Sequence, residues 1–210
     1  MDERLERYLR ELFFVEDAAL VAIRERQAAA NLPSINVSAD EGRLLAVLLT
    51  AVGARRVLEL GALGGYSGVW LARALPAGGT LTTVEFDPRH AQVAREAYRT
   101  AGVADRVHLI EGSALDVLPT LTPGFDAVFV DADKAPMAAY FDWGVRLLRV
   151  GGLLLGDNAF HDGKVADPKV TAPDTEGVRA FNRRSATDPR ILATVVPIRD
   201  GLVVGVKVRD

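Results

Sequence analysis

Five short apolar runs recur between Val57 and Leu155: Val57-Leu58-Glu59-Leu60, Thr80 to Glu85, Val107-His108-Leu109-Ile110, Ala127 to Val130 and Leu153 to Leu155. The segments after Tyr66, from Pro88 to Thr100, from about Ala114, and around Tyr140, Phe141, Val145, Leu147 and Leu148 separate them with helical character. Proline opens the second of these at a first-turn position, where its missing N–H costs nothing. Parallel strands need long crossovers, usually helices, so this alternation predicts a doubly wound α/β sheet with helices on both faces. The C-terminus departs from it. Ile191 to Val196 and Leu202 to Val208 are joined through Arg199-Asp200-Gly201, a connection short enough only for antiparallel pairing. The expected sheet has seven strands, mostly parallel, with the last one reversed.

A chain of 210 residues with 49% hydrophobic and 25% charged content supports one domain, residues 1–210, with a full core. Ahead of the sheet, Leu5, Tyr8, Leu9, Leu12 and Phe13, then Ala18, Val21 and Ala22, recur at helical spacing. Residues 1–36 are therefore a helical cap or interface segment, whose apolar face is expected to pack on the core or on a second copy in a homodimer. Ser38-Ala39-Asp40-Glu41 has the form of a capping box, followed by a buried helix face of Leu44, Leu45, Val47 and Leu48.

Charge and cysteine content narrow the function. A formal net charge of −3 gives no general attraction for nucleic acid. With no cysteine there is no disulfide framework, thiolate metal site or cysteine nucleophile. The charged N-terminus lacks a signal-peptide core, and no apolar stretch reaches the roughly 20 residues of a membrane span. The expectation is a cytoplasmic protein.

In a doubly wound sheet the carboxyl ends of the strands line one ligand-binding edge. Asp131 (in Val130-Asp131-Ala132-Asp133-Lys134) and Asp157-Asn158 both fall there. Three oxygen-bearing side chains suit Mg²⁺, Mn²⁺ or Ca²⁺, with Lys134 beside them as a candidate base. His161 is less suited as a ligand, since hard cations prefer oxygen. The turn Gly61-Ala62-Leu63-Gly64-Gly65-Tyr66-Ser67 is glycine-rich but is not G-x-G-x-x-G, which weakens a pyrophosphate reading. Glu85 ends the second strand, where an acid can accept from both ribose hydroxyls; Phe86 could lie against adenine, and Ser113-Ala114 falls on the same edge. His90 and His108 read as ordinary helix and strand positions, and Arg179 and Asn182 as surface or interface residues. A nucleoside pocket without a phosphate cradle, with an antiparallel last strand, points to S-adenosylmethionine.

The chain resembles the cation-dependent class I O-methyltransferases of the caffeoyl-CoA and catechol type from about Ser34 onward. The matching segments are Ser38-Ala39-Asp40-Glu41-Gly42, Glu59-Leu60-Gly61 with Gly65-Tyr66-Ser67, Val84-Glu85, Gly112-Ser113-Ala114, Val130-Asp131-Ala132-Asp133-Lys134, Gly156-Asp157-Asn158 and Pro197-Ile198-Arg199-Asp200-Gly201-Leu202. Each is weak alone; in this order they are specific. The resemblance implies a Rossmann-like methyltransferase fold, metal ligands Asp131, Asp157 and Asn158, and Lys134 as general base. It also implies a cofactor shell of Val37 by its backbone, Glu59, Gly61, Ala62, Ser67, Glu85, Ala114, Asp131 and Asp133, to which the strand-edge reading adds Phe86 and Ser113. Plant members often carry an aromatic residue after Asp-Asn. Ala159-Phe160-His161-Asp162 stands here instead, so Phe160, His161 and Asp162 are candidate substrate-wall residues by position alone.

The expected activity is methylation of one hydroxyl of a small vicinal dihydroxy aromatic. Three alternatives stand beside it: a relative acting on a hydroxylated RNA base, a nicotinamide-dependent oxidoreductase, and a cofactor-binding protein without catalysis.

Overall fold

The computed structural model describes residues 2–210. Its sheet has seven strands: β1 (Arg56–Leu60), β2 (Thr80–Glu85), β3 (Val107–Glu111), β4 (Phe125–Val130), β5 (Leu148–Gly156), β6 (Ile191–Val196) and β7 (Leu202–Lys207). They lie in the order β3-β2-β1-β4-β5-β7-β6. The first five are mutually parallel, and β7 runs antiparallel between β5 and β6. This is the expected fold. The order reverses at β1, which has β2 on one side and β4 on the other, so a crevice opens beyond their carboxyl ends.

Helices α3 (Ala39–Ala51), α4 (Tyr66–Ala74) and α5 (Pro88–Thr100) cover one face with α2 (Ala18–Ala29). The short α6 (Ala114–Val117), α7 (Met137–Leu147) and α8 (Pro173–Thr187) cover the other. Strands β1 and β4 supply both layers by alternation: Val57, Ala127 and Phe129 join the first core, Leu58, Leu60, Val128 and Val130 the second. Both faces of these strands are sealed, which is why they read as near-continuous apolar runs.

Several helical faces differ from the sequence reading. In α2 the buried residues are Leu20, Ile23 and Gln27, while Val21 is exposed. In α3 they are Glu41, Gly42, Leu45 and Leu49, and Val47 faces outward. A four-residue step between Leu45 and Leu49 keeps one face inward, whereas a run of adjacent apolar residues cannot specify which two are chosen. The N-terminal α1 (Glu3–Phe13) leaves Leu5, Tyr8, Leu12 and Phe13 exposed, so its apolar face does not enter the core. Among the described residues no helix is long and apolar enough to cross a membrane.

Candidate active site

The parallel ladder continues one residue past each central strand. Gly61 N–H donates to Val84 C=O, Asp131 N–H to Leu60 C=O and Asp157 N–H to Val130 C=O, at 2.9–3.0 Å. These bonds align the starts of three loops along one edge. They open onto a cavity of about 1120 Å³. Its wall contains Val37, Gly61, Ala62, Ser67, Glu85 and Phe86, then Ser113, Ala114, Asp131, Asp133, Lys134 and Asn158, with His161 and Asp162 at the far side.

At the ends of β1 and β2, Glu85 fixes the glycine turn. Its Oε2 accepts from the amides of Ala62 (3.0 Å) and Leu63 (2.7 Å), and its Oε1 from the Asp87 amide (3.0 Å). Each carboxylate oxygen has two lone pairs; Oε2 uses both on the turn, and Oε1 keeps one to accept from a hydroxyl in the cavity. His90 belongs to this wall, with Nδ1 3.5 Å from Glu85 Oε1, in place of the ordinary helix position read from sequence. Phe86 is 77% exposed and lines the cavity beside Glu85. Ser113 precedes α6 without capping it through its side chain.

Glu59 is placed differently from the cofactor contact read from sequence. It is fully buried and does not line the cavity; it accepts from Ser67 Oγ (2.6 Å) and Thr83 Oγ1 (2.7 Å). Ser67 does line the cavity, so Glu59 acts by orienting it. Burial pushes the Glu59 carboxyl up to about 7. The glycines of the turn serve packing: a side chain on Gly61 would strike the Asp131 carbonyl, and one on Gly65 would meet Ala94 of α5.

The acidic corner lies where β1, β4 and β5 end. Asp131 is held at its Oδ1 by Lys134 Nζ, 3.1 Å away, yet burial still pushes its carboxyl up to about 6. Asp157 is 2% exposed, and its Oδ1 accepts from the Asn158 amide at 2.6 Å. It stands just behind the cavity wall that Asp131 and Asn158 form. Asn158 itself has a left-handed backbone (φ 61°), which asparagine tolerates better than most residues.

The capping box does not form. Ser38 precedes α3 but makes no side-chain cap bond, and Glu41 turns into the protein instead. It is fully buried against Asp157, both its oxygens lack a hydrogen-bond donor, and desolvation beside Asp157 pushes its carboxyl up to about 9. Its nearest cation is Arg199, Nη1 3.9 Å from Oε2. Arg199, in the turn between β6 and β7, also lines the cavity, a position that turn chemistry does not signal.

A sequence model of the O-methyltransferase family matches residues 11–208. The chain belongs to the O-methyltransferase family, as an S-adenosylmethionine-dependent enzyme. Catechol O-methyltransferase of Niastella koreensis is 41% identical over 99% of this chain and 94% of its own length. Catechol O-methyltransferase of Mycobacterium tuberculosis is 46% identical over 86% of this chain and 82% of its own. The crystal structure of a Streptomyces achromogenes O-methyltransferase in complex with S-adenosylmethionine superposes with a TM-score of 0.93 at 37% identity, covering 100% of both chains.

The far side of the cavity of this methyltransferase is built from irregular backbone. His161 (φ 47°), Asp162 (φ 54°) and Arg199 (φ 47°) are all left-handed non-glycine residues, a strained conformation that clusters at functional sites. The two loops brace each other: Ala159 and Phe160 amides donate to the Gly201 and Asp200 carbonyls, and the Asp162 amide to Asp200 Oδ1. Phe160 packs toward the core and against Gly201 and is not part of the cavity wall, unlike its position in the sequence reading; alternating direction in a tight loop leaves His161 and Asp162 to face the cavity. Tyr140, whose hydroxyl donates to Asp133, and Ile35 and Asn36 complete the enclosure. None of these three carried a motif signal.

Proposed function

We propose that this enzyme methylates one hydroxyl of a small vicinal dihydroxy aromatic, with a divalent cation held by Asp131, Asp157 and Asn158. The observation that carries this reading is the uncompensated acidic corner: Lys134 is spent on Asp131, while the buried oxygens of Glu41, beside Asp157, have no donor. Two relatives named catechol O-methyltransferase support the substrate class. Among the described residues no three acidic, histidine or cysteine side chains converge tightly enough to cage an ion alone, so the Asn158 amide oxygen is needed to complete the set. That oxygen-only set suits a hard cation such as Mg²⁺ or Mn²⁺.

Bound there, a divalent cation would supply electrostatic stabilisation for deprotonating a phenolic hydroxyl, whose ordinary pKa is about 10. Lys134 Nζ lies beside Asp131, where as an ammonium it would face the developing oxyanion and as the neutral amine it would take the hydroxyl proton. Glu85 would bind the ribose hydroxyls and Phe86 the adenine face, while Ser113, Ala114 and Asp133 fix the rest of the cofactor. Val37, which lines the cavity, would contact the cofactor through its backbone, as would Ser67, held by Glu59, through its hydroxyl. The remaining contribution is orientation of the acceptor oxygen toward the methyl carbon. Two copies would pair through the exposed apolar face of α1.

A vicinal diphenol offers two oxygens to a cation and a monophenol one, so the diol should turn over at least tenfold faster at saturation, a difference of about 1.4 kcal/mol. Chelator should abolish turnover, and Mg²⁺ or Mn²⁺ should restore it. Equal rates for diol and monophenol, or full activity in chelator, would reject the reading.

A further inference from the structure

We propose that Gln27 is a positioning residue for the methyl donor: it holds the cavity-lining strap of residues 33–37 against the glycine turn. This rests on the cofactor shell proposed above at Val37, Gly61 and Ala62 and is independent of the cation.

Residues 33–37 run between α2 and α3, and Pro33, Ile35, Asn36 and Val37 all line the cavity. The strap belongs to no helix or strand, and among the described residues none of its backbone groups makes a hydrogen bond. Its one hydrogen bond runs from the Asn36 side-chain amide to Gln27 Oε1. Buried backbone groups are almost always paired, and Val37 is buried with its N–H and C=O free, as a wall that completes itself on a ligand would have them.

Gln27 points inward from α2 beside Leu20 and Ile23. An apolar side chain would fill that place at less cost, because Gln27 Nε2 is buried without an acceptor. The amide lies against the glycine turn at Gly64, where any β-carbon would strike Nε2. Gly64 follows Ala62 and Leu63, whose amides Glu85 holds. The segment that carries Gln27 is itself anchored to the same turn. Glu16, just before α2, accepts at Oε1 from the Tyr66 hydroxyl (2.6 Å) and from Arg24 Nε of α2 (2.7 Å). One side chain on a fixed helix therefore touches turn and strap together and sets the separation of Val37 from Ala62. Without its bond the strap is free in the unliganded enzyme, and ordering it costs part of the binding energy. The bound complex is the same, so affinity falls and the chemical step does not.

The test uses the full chain and S-adenosylmethionine. Gln27→Met keeps the length of the side chain and removes both polar atoms. Calorimetry in chelator should show the donor dissociation constant raised about fivefold, the scale of one neutral hydrogen bond. Asn36→Ala, which leaves α2 untouched, should raise it by a similar factor, and the double variant by no more than either alone, because both act through one bond. With catechol as acceptor and Mg²⁺ present, KM for the donor should rise in Gln27→Met while kcat stays within about twofold. The melting temperature without donor should stay level or rise, since a half-satisfied buried amide has been removed.

Fold-changes that multiply in the double variant would show the two residues acting separately and overturn the proposal. So would a fall of kcat and melting temperature together with affinity, which marks a packing residue. Unchanged affinity in Gln27→Met or in Asn36→Ala, with Glu85→Ala weakened, would reject the role of Gln27 and leave the cofactor shell standing. Wild-type affinity in Glu85→Ala as well would end the shell reading, and this one with it.

Discussion

Glu59 sits in a dry pocket beneath the cavity floor, and its two hydroxyl donors only partly offset the loss of water. Its carboxyl is pushed from an ordinary 4.5 up to about 7. A carboxyl that keeps its proton longer in the folded state stabilises the fold fully below its unfolded value. The stability is then lost as pH rises from about 4.5 through 7, because the unfolded chain ionises first. The span corresponds to about 3 kcal/mol at most, less where the structure relaxes. Denaturant melts between pH 5 and 8 should therefore show stability falling with pH, and Glu59→Gln should flatten much of that slope. An unaltered slope in the variant would assign it to the acidic corner, where Asp131 and Glu41 are raised in the same direction. None of this was legible from Glu-Leu-Gly, which places Glu59 at the cofactor. A strand residue's direction alternates, and this one points into the helical layer with Thr83 on the neighbouring strand.

At the scale of elements, α8 shows how a surface helix builds an active-site wall. Arg179 had no signal beyond its helical position, yet its guanidinium donates to the carbonyls of Lys164, Val165, Asp167 and Val170. Asn182, one turn on, donates to the Ala159 carbonyl at 2.7 Å. Of these five carbonyls those of Lys164 and Asp167 also accept from backbone amides, while Ala159, Val165 and Val170 find their partner in these side chains. Gly177 of the same helix lets α8 approach the Lys134 and Ala135 carbonyls, where any side chain would collide. Arg179→Ala should loosen residues 162–171 at a cost of roughly 2 kcal/mol, the scale of hydrogen bonds from a charged donor. Amide exchange should accelerate in that segment, and KM for the acceptor should rise several-fold while cofactor affinity holds. Loss confined to cofactor binding would show that the loop does not shape the acceptor side.

Taken as a whole, the molecule leaves the apolar face of α1 outside its two cores. Leu5, Tyr8, Leu12 and Phe13 of α1 are each about half exposed, with Val15 and Val47 close in kind, although α1 is tied to α3 through Arg43 and the Phe13 carbonyl. If two copies pair through this face, light scattering should give twice the mass of 22.6 kDa, and Leu12→Glu with Phe13→Glu should return a monomer that keeps the two cores. A wild-type monomer at micromolar concentration would refute the pairing. The α/β alternation, the antiparallel end and the acidic strand ends were all readable along the chain, because strand burial, crossover length and turn chemistry are local properties. The register that brings Gly61, Glu85, Asp131 and Asp157 to one edge follows from the same periodicity. The destinations of Glu41, Arg199, His90 and Phe160 were not readable. Each belongs to a loop or first turn whose local pattern fits a cap, a hairpin, a helix position or a wall equally well. Only the packing of α3, α5 and the β6–β7 turn against the sheet edge selects one. The sequence alone thus determines which residues arrive at the carboxyl edge of the sheet, and tertiary structure decides which side chains face inward there, because desolvation and charge pairing depend on neighbours far apart in the chain.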